Sequence, residues 1–95
     1  MNKITENELT EIKNLLEANH IGNAIDKLNE MIRLFPQNDE LLYMRGNAKR
    51  KNGEWSEAIN DYLAAVAVNP ESPAQQAAEM LGDILEFRNK DLYNQ

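Results

Sequence analysis

Few side chains in this sequence are of the kinds that perform covalent or metal chemistry. The 95 residues include no cysteine and a single histidine, His20, which excludes thiolate zinc sites, iron–sulfur clusters, a cysteine nucleophile and paired histidine ligands. His20 stands between two apolar patterns, where a lone histidine is usually exposed or caps a helix end. Ser56 and Ser72 stand at predicted helix starts, where capping accounts for a hydroxyl. The four glycines are scattered and form no phosphate-binding loop.

This inventory predicts a protein that is not an enzyme and that holds no metal or cofactor. The carboxylates are distributed along the chain, and no acid–base pair stands out. Lys plus Arg number 10 against 16 for Asp plus Glu, a net charge of −6, which is the wrong sign for a dedicated nucleic-acid binder. No apolar run has the length of a secretory leader or a membrane span. We therefore expect a cytoplasmic protein with no nucleic-acid or membrane partner.

The sequence repeats itself at an interval of 34 residues. When residues 19–36 are placed on residues 53–70, small residues meet small residues, large apolar residues meet large apolar residues, and proline meets proline without a gap. Ala24 falls on Ala58, and Pro36 falls on Pro70. A length of 95 residues allows one domain or one short array, and a period of this size is typical of a helical array.

Each unit reads as a pair of helices separated by turn residues. In the first unit, apolar residues at helical spacing precede a turn at 19–22, and a second helix follows until Pro36 ends it. In the second unit, Asn38 or Asp39 caps a helix over 42–50, and a turn at 52–53 leads to a partner helix over 55–68. A fifth helix starts with Ser72 as its N-cap and Gln75 at capping-box spacing.

The fifth helix has the pattern of a closing element with one polar and one apolar side. Glu79 and Asp83 alternate with Leu81, Ile84 and Leu85, which are predicted to form the apolar side. The whole chain, 1–95, is thus expected to form a single domain. Its predicted parts are repeat one over 5–38, repeat two over 39–72, a capping helix over 73–88 and a frayed tail over 89–95.

The pattern resembles the tetratricopeptide repeat, a 34-residue helix pair with a large residue, Leu-Gly and Tyr on the first helix, then Ala, an aromatic and Pro. The second unit matches best, although Arg45 and Lys49 replace the leucine and the tyrosine of the pattern. Its matching residues are Leu42, Gly46, Ala58, Tyr62 and Pro70. The first unit matches only in its back half. The fifth helix matches in its front half, through Ala78, Leu81, Gly82 and Leu85, after a linker two residues longer than the period.

The resemblance implies an all-α fold of about five helices, built of antiparallel hairpins stacked as a right-handed superhelix. It also implies a protein–protein interaction module or scaffold, with no enzymatic activity, whose concave face binds a peptide or protein segment. Gly46 and Gly82 are then points of close packing between helices. Carried over by position, the peptide-binding residues are Leu9, Lys13, Tyr43, Met44, Asn47, Arg50, Lys51, Met80, Asp83 and Phe87.

Tyr43 and Asn47 lie one helical turn apart and therefore share a face. An aromatic ring with an amide one turn later is suited to an apolar side chain and a peptide backbone. The alternative is that Tyr43 and Met44 pack against neighbouring helices.

Two further alternatives concern charge and self-association. The cations Arg45, Lys49, Arg50 and Lys51 either attract an acidic peptide or pair with acids on flanking helices, such as Glu17, Glu79, Asp83 and Glu86. The chain would alternatively be a structural assembly element, without a peptide ligand, that forms a homodimer through apolar edges such as Ile4, Leu9, Leu92 and Tyr93.

Overall fold

The computed structural model describes the backbone of residues 6–93 and the side chains of residues 6–84. Five helices follow one another: α1 (Glu6–Glu17), α2 (Ile21–Leu34), α3 (Asp39–Lys51), α4 (Trp55–Val68) and α5 (Ala74–Tyr93). Each helix packs chiefly against its neighbours in the chain, and the short connections make consecutive helices antiparallel. The all-α stack of helix pairs predicted from the period is confirmed.

The turn inside each helix pair has the same geometry in both repeats. Asn19 and Gly53, which are 34 positions apart, adopt left-handed φ angles of 64° and 81°. A left-handed residue after a helix reverses the chain while satisfying the last carbonyls of that helix. The residues that follow, His20 and Glu54, again agree, with φ and ψ of −88° and 65° against −91° and 69°. The sequence period is therefore also a period of the backbone.

Gly53 is expected to be the more sensitive of two solvent-exposed glycines. Gly53→Ala should destabilise the chain by about 1 kcal/mol, because a Cβ makes the left-handed conformation costly. Gly22→Ala is the matched control: Gly22 lies in the first turn of α2, and a Cβ there meets nothing within 4 Å, so alanine should be neutral or stabilising. Urea unfolding of both variants measures the difference. Equal effects would show that the turn at Gly53 carries no conformational constraint.

Two clusters of buried side chains lie on either side of α3. The first cluster joins repeat one to α3 and consists of Ile12, Leu28, Met31, Leu41, Met44 and Ala48. The second cluster joins α3, α4 and α5 and consists of Leu42, Ala58, Tyr62, Ala65, Ala74, Ala78 and Leu81. Because α3 contributes to both clusters, it is the central helix of the stack.

The face of α1 that corresponds to the packed face of α3 is polar. Leu41, Met44 and Ala48 pack α3 against repeat one. The residues 34 positions earlier on α1 are Asn7, Thr10 and Asn14, and all three are exposed. The face of α1 that corresponds to the contact between repeats is therefore solvated.

Close packing of a glycine occurs at Gly46 and not at Gly82. A Cβ on Gly46 would lie 2.5 Å from a ring carbon of Tyr62, which confirms the predicted approach of α3 and α4. A Cβ on Gly82 would meet no described atom within 4 Å. The prediction of a close-packing point at Gly82 is wrong, because α5 turns a different side toward α4.

The caps of α3 and α5 follow the sequence in part. Asn38 caps α3 by accepting a hydrogen bond from the amide of Leu41 at 3.0 Å. The Oγ of Ser72 accepts from the amide of Ala74 at 3.1 Å, but the side chain of Gln75 donates to Glu79, at 3.5 Å, instead of closing the capping box.

The last helix extends to Tyr93, into the segment 89–95 that the sequence predicts as a frayed tail. No glycine or proline follows Gly82, so no strong stop signal interrupts the helix. Within the described residues, no helix is both long and apolar enough to cross a membrane.

Candidate functional site

A buried carboxylate holds two cations of α3 against α4. Asp61 is only 7% exposed at its side chain. Arg45 donates to both of its oxygens, from Nε at 2.9 Å and from Nη2 at 2.8 Å, and the Nζ of Lys49 lies 3.3 Å from Oδ2. A bidentate contact between a guanidinium and a carboxylate gives directional, charge-assisted hydrogen bonds. Arg45 and Lys49 stand where the repeat pattern has a leucine and a tyrosine. The ion cluster therefore takes the place of an apolar contact between α3 and α4.

The ion cluster accounts for half of the basic residues of α3. Arg45 also donates from Nη1 to Asn29 at 3.0 Å, and the Nζ of Lys49 lies 3.6 Å from Glu57. The predicted pairing with Glu17, Glu79 or Asp83 on flanking helices is wrong for these two cations, because the acids that meet them lie on α4, within the same repeat. Glu86 lies where only the backbone is described.

The other two cations, Arg50 and Lys51, are exposed. Within residues 6–84, neither of them forms an ion pair.

Tyr62 links the core to the side of α3 that carries Tyr43, Asn47 and Arg50, which we call the open side of α3. Its side chain is fully buried, and its hydroxyl donates to Oδ1 of Asn47 at 2.6 Å. The ring of Tyr43 lies 5.9 Å from the ring of Tyr62, centroid to centroid, at an angle of 44°, within the range of favourable aromatic pairs. Burial raises the pKa of Tyr62 above 10.0; Arg50 opposes this rise, and Tyr43 and Asp61 add to it. Tyr62 therefore stays protonated at neutral pH and remains a donor.

The hydrogen bond from Tyr62 determines the orientation of the amide of Asn47. An amide offers one oxygen acceptor and one nitrogen with two donor hydrogens. Since Oδ1 accepts from the buried hydroxyl, Nδ2 is the atom left for other partners. Asn47 is half-buried on the open side of α3. The result is an oriented hydrogen-bond donor beside the exposed cation Arg50.

An apolar pair lies on the same side of α5. On α3, the open residues Tyr43, Asn47 and Arg50 lie about 130° around the helix axis from the stripe that packs against repeat one. On α5, the buried stripe is Ala74, Ala78 and Leu81. Because α5 runs parallel to α3, we apply the same rotation to the buried stripe of α5, and the residues found there are Met80 and Ile84. Their side chains are 62% and 42% exposed.

The exposed or partly exposed residues on this side of α3 and α5, together with the neighbouring cation Lys51, are called the groove residues below. They are Tyr43, Asn47, Arg50, Lys51, Met80 and Ile84. Ile84 was predicted for the apolar, covered side of α5, and its exposure corrects that prediction. Asp83 is exposed as well and follows Met80 by three positions, so it borders Met80 on the side opposite Ile84.

Comparison with known proteins identifies the framework of this site. A family profile described as tetratricopeptide repeat matches residues 39–72. The solution NMR structure of Bacteroides fragilis protein BF1650, a structural-genomics target, superposes with a TM-score of 0.81 and 45% sequence identity, over 95% of this chain and 91% of that chain. The chain belongs to the tetratricopeptide-repeat family. A comparison with curated proteins found no significant match.

The matched tetratricopeptide repeat, residues 39–72, comprises α3 and α4 and therefore the ion cluster, Tyr62 and most of the groove residues. Met44, one of the predicted binding residues, is only 7% exposed and packs in the first cluster. Its packing alternative is the one that the structure supports, because a buried side chain presents no surface to a ligand. Tyr43 is half-buried and packs against the second cluster while remaining partly open.

The remaining predicted residues of the tetratricopeptide array lie on α1 and α5. Lys13 is exposed, one period before Asn47, and Leu9 is half-buried against the first cluster. Phe87 lies on α5 where side chains are not described. The predicted dimer edges Ile4, Leu92 and Tyr93 also lie outside the described side chains. Within residues 6–84, no group of three or more histidine or acidic side chains is arranged to hold a metal ion.

Proposed function

We propose that this tetratricopeptide-repeat chain is a non-catalytic, cytoplasmic interaction module that binds a peptide or protein segment along the groove residues. The observation that carries the proposal is the amide of Asn47, whose oxygen is held by the buried hydroxyl of Tyr62 at 2.6 Å. Its nitrogen is left for a partner. The lack of cysteine is in keeping with a reducing compartment.

An oriented amide suits the backbone of a bound peptide. A peptide carbonyl is an acceptor that recurs at every residue, so a donor of fixed direction recognises it without selecting a side chain. Because Tyr62 and Tyr43 already restrain the amide and its surroundings, binding loses less conformational entropy at this position than at a free surface residue. The neighbouring cations and apolar side chains then supply selectivity.

The test replaces the donor of Asn47 and keeps its acceptor. In Asn47→Asp, a carboxylate oxygen still accepts from Tyr62, but no amide hydrogen remains. We expect at least about tenfold weaker binding, or roughly 1.4 kcal/mol, of peptides selected from an unbiased random-peptide display library. Thermal unfolding should be almost unchanged. Binding is measured by fluorescence anisotropy with the selected peptides.

The matched control is Asn60→Asp, the same substitution at an exposed position of α4. It should leave peptide binding unchanged. If Asn47→Asp and Asn60→Asp bind equally well, the groove is not the binding surface. If the library yields no binder and sedimentation shows a stable dimer, the chain is a self-associating assembly element and the proposal fails.

A further inference from the structure

We infer that the segment bound by the groove residues is acidic and amphipathic, with a carboxylate that meets Arg50 and Lys51 and an apolar side chain that meets Met80 and Ile84. This inference rests on the proposed function and specifies its ligand. Three features of the described residues support it: the distribution of charge on α3, the proximity of Arg50 to Tyr62, and the exposure of an apolar pair on α5.

The charge on α3 is compensated on one side only. Asp61 and Glu57 neutralise Arg45 and Lys49 on the side of α4. Arg50 and Lys51 are exposed, and within residues 6–84 neither has an ion-pair partner. In a chain with a net charge of −6, a surface with two adjacent uncompensated cations is a local exception. It attracts an anionic group and disfavours a cationic one.

The position of Arg50 connects this charge to the oriented amide. Arg50 is close enough to Tyr62 to lower the pKa of its hydroxyl against the effect of burial. Arg50 also follows Asn47 by three positions on α3, so the guanidinium and the amide stand at neighbouring positions on the surface of one helix. A guanidinium presents a planar set of donors that matches a carboxylate. Together with the nitrogen of Asn47, it offers donors only, so the bound group must be an acceptor.

A helix face that no described helix covers is not always apolar in this stack. The other uncovered face of the stack, on α1, carries polar residues, Asn7, Thr10 and Asn14. In contrast, Met80 and Ile84 are 62% and 42% exposed and lie one helical turn apart, so they form a continuous apolar surface. The flexible side chain of methionine adapts to partners of different shape.

Charge complementarity selects this occupant over the others. A basic segment would place its cations against Arg50 and Lys51. Among the groove residues a nucleic acid would meet two exposed cations, Arg50 and Lys51, and it has no use for Met80 and Ile84. A second copy of the chain would have to bring its own net charge of −6 into contact with a chain of the same charge.

The experiment measures fluorescence anisotropy of three short labelled peptides with the full chain. The first peptide alternates leucine and glutamate, the second has lysine in place of each glutamate, and the third has serine in place of each leucine. We expect the first to bind, the second to bind at least about tenfold more weakly, and the third to lose most of its affinity. Added salt should weaken binding of the first peptide, because exposed charges are screened.

Variants assign the two contacts separately. Arg50→Glu with Lys51→Glu should weaken binding of the leucine–glutamate peptide at least about tenfold and improve binding of the leucine–lysine peptide. Arg33→Glu, at an exposed position of α2, is the control for charge. Met80→Ser should weaken binding, whereas Leu63→Ser, on α4 at a comparable 55% exposure, should not.

Three results would overturn the inference. The first is tighter binding of the leucine–lysine peptide to the unaltered chain. If that binding is still lost in Asn47→Asp, the proposed function stands and only the ligand class is wrong. The second is displacement of the leucine–glutamate peptide by a single-stranded oligonucleotide. The third is a dimer in sedimentation that Met80→Ser dissociates, because Met80 would then be a contact between copies.

Discussion

Replacing Gly46 by isoleucine is expected to unfold the second repeat, and replacing Tyr62 by leucine in the same chain is expected to restore much of its stability. A Cβ at position 46 would lie 2.5 Å and 2.7 Å from two ring carbons of Tyr62. The ring cannot withdraw easily, because it is fully buried and its hydroxyl is bonded to Asn47. The clash therefore separates α3 from α4.

The first repeat already contains the compensated pair. The residues 34 positions before Gly46 and Tyr62 are Ile12 and Leu28, and both are fully buried in the first cluster. In the first repeat two residues of equal size share the space between the helices, whereas in the second repeat the ring of Tyr62 fills that space and position 46 has no side chain. The two repeats therefore fill the same space with different distributions of volume, as close packing of a protein interior requires.

The double-mutant cycle has a definite expected outcome. Gly46→Ile alone should cost about 3 kcal/mol or more through overpacking, and Tyr62→Leu alone about 2 kcal/mol through the space it leaves. The double variant should be more stable than the sum of the two predicts, by about 1 to 3 kcal/mol of coupling. Urea unfolding monitored by circular dichroism measures all four chains.

The control is Gly82→Ala, where no described atom lies within 4 Å of the new Cβ. It should be neutral or stabilising, because alanine favours a helix interior. Additive effects of Gly46→Ile and Tyr62→Leu would contradict the packing argument.

The 34-residue period predicts those parts of the fold that depend on local sequence. The turns at Asn19 and Gly53, the cap at Asn38 and the five helices arise from residues near one another in the chain, so their signals are present in the sequence. The contact between Gly46 and Tyr62 is also recoverable, because it recurs in the family pattern that the second unit resembles.

The rotation of α5 could not be read from the same pattern. Ala78, Leu81 and Gly82 match the front half of a repeat, in which such residues face the second helix of their own pair. Here α4 supplies the apolar surface for α5, and burial of Ala78 and Leu81 against it decides the rotation. Gly82 is then left open, and Met80 and Ile84 face outward.

The groove was predictable in position and not in detail. The family resemblance carries Tyr43 and Asn47 over by position, and their spacing of one turn, a local property, places them on one face of the helix. The bond that orients Asn47 comes from Tyr62, 15 residues away and on another helix. The partner of Arg45 is likewise 16 residues away. A buried carboxylate such as Asp61 has no periodic signature, because polar residues are expected at the surface.

Removal of the carboxylate of Asp61 is expected to be among the most destabilising changes of a single charge in this chain. Asp61 is 7% exposed at its side chain and is the acid that meets both Arg45 and Lys49 at short distance. Asp61→Asn leaves these cations, which are only 20% and 15% exposed, close together and largely uncompensated. Breaking a buried ion pair from one side costs about 3 to 5 kcal/mol, and partial exposure of the cations places the expected loss near about 3 kcal/mol.

Replacing the whole cluster should reverse that loss. Arg45→Leu with Lys49→Tyr introduces the two residues of the family pattern, and Asp61→Leu removes the acid that they no longer need. Apolar replacement of a complete buried ion cluster is often neutral or stabilising, and the former partners Asn29 and Glu57 are exposed and would be hydrated. The triple variant should therefore unfold at or above the temperature of the unaltered chain.

Asp26→Asn, at an exposed position of α2, is the control for Asp61→Asn and should change stability by less than about 0.5 kcal/mol. A loss of the same small size in Asp61→Asn would show that the ion cluster contributes no more than a surface pair.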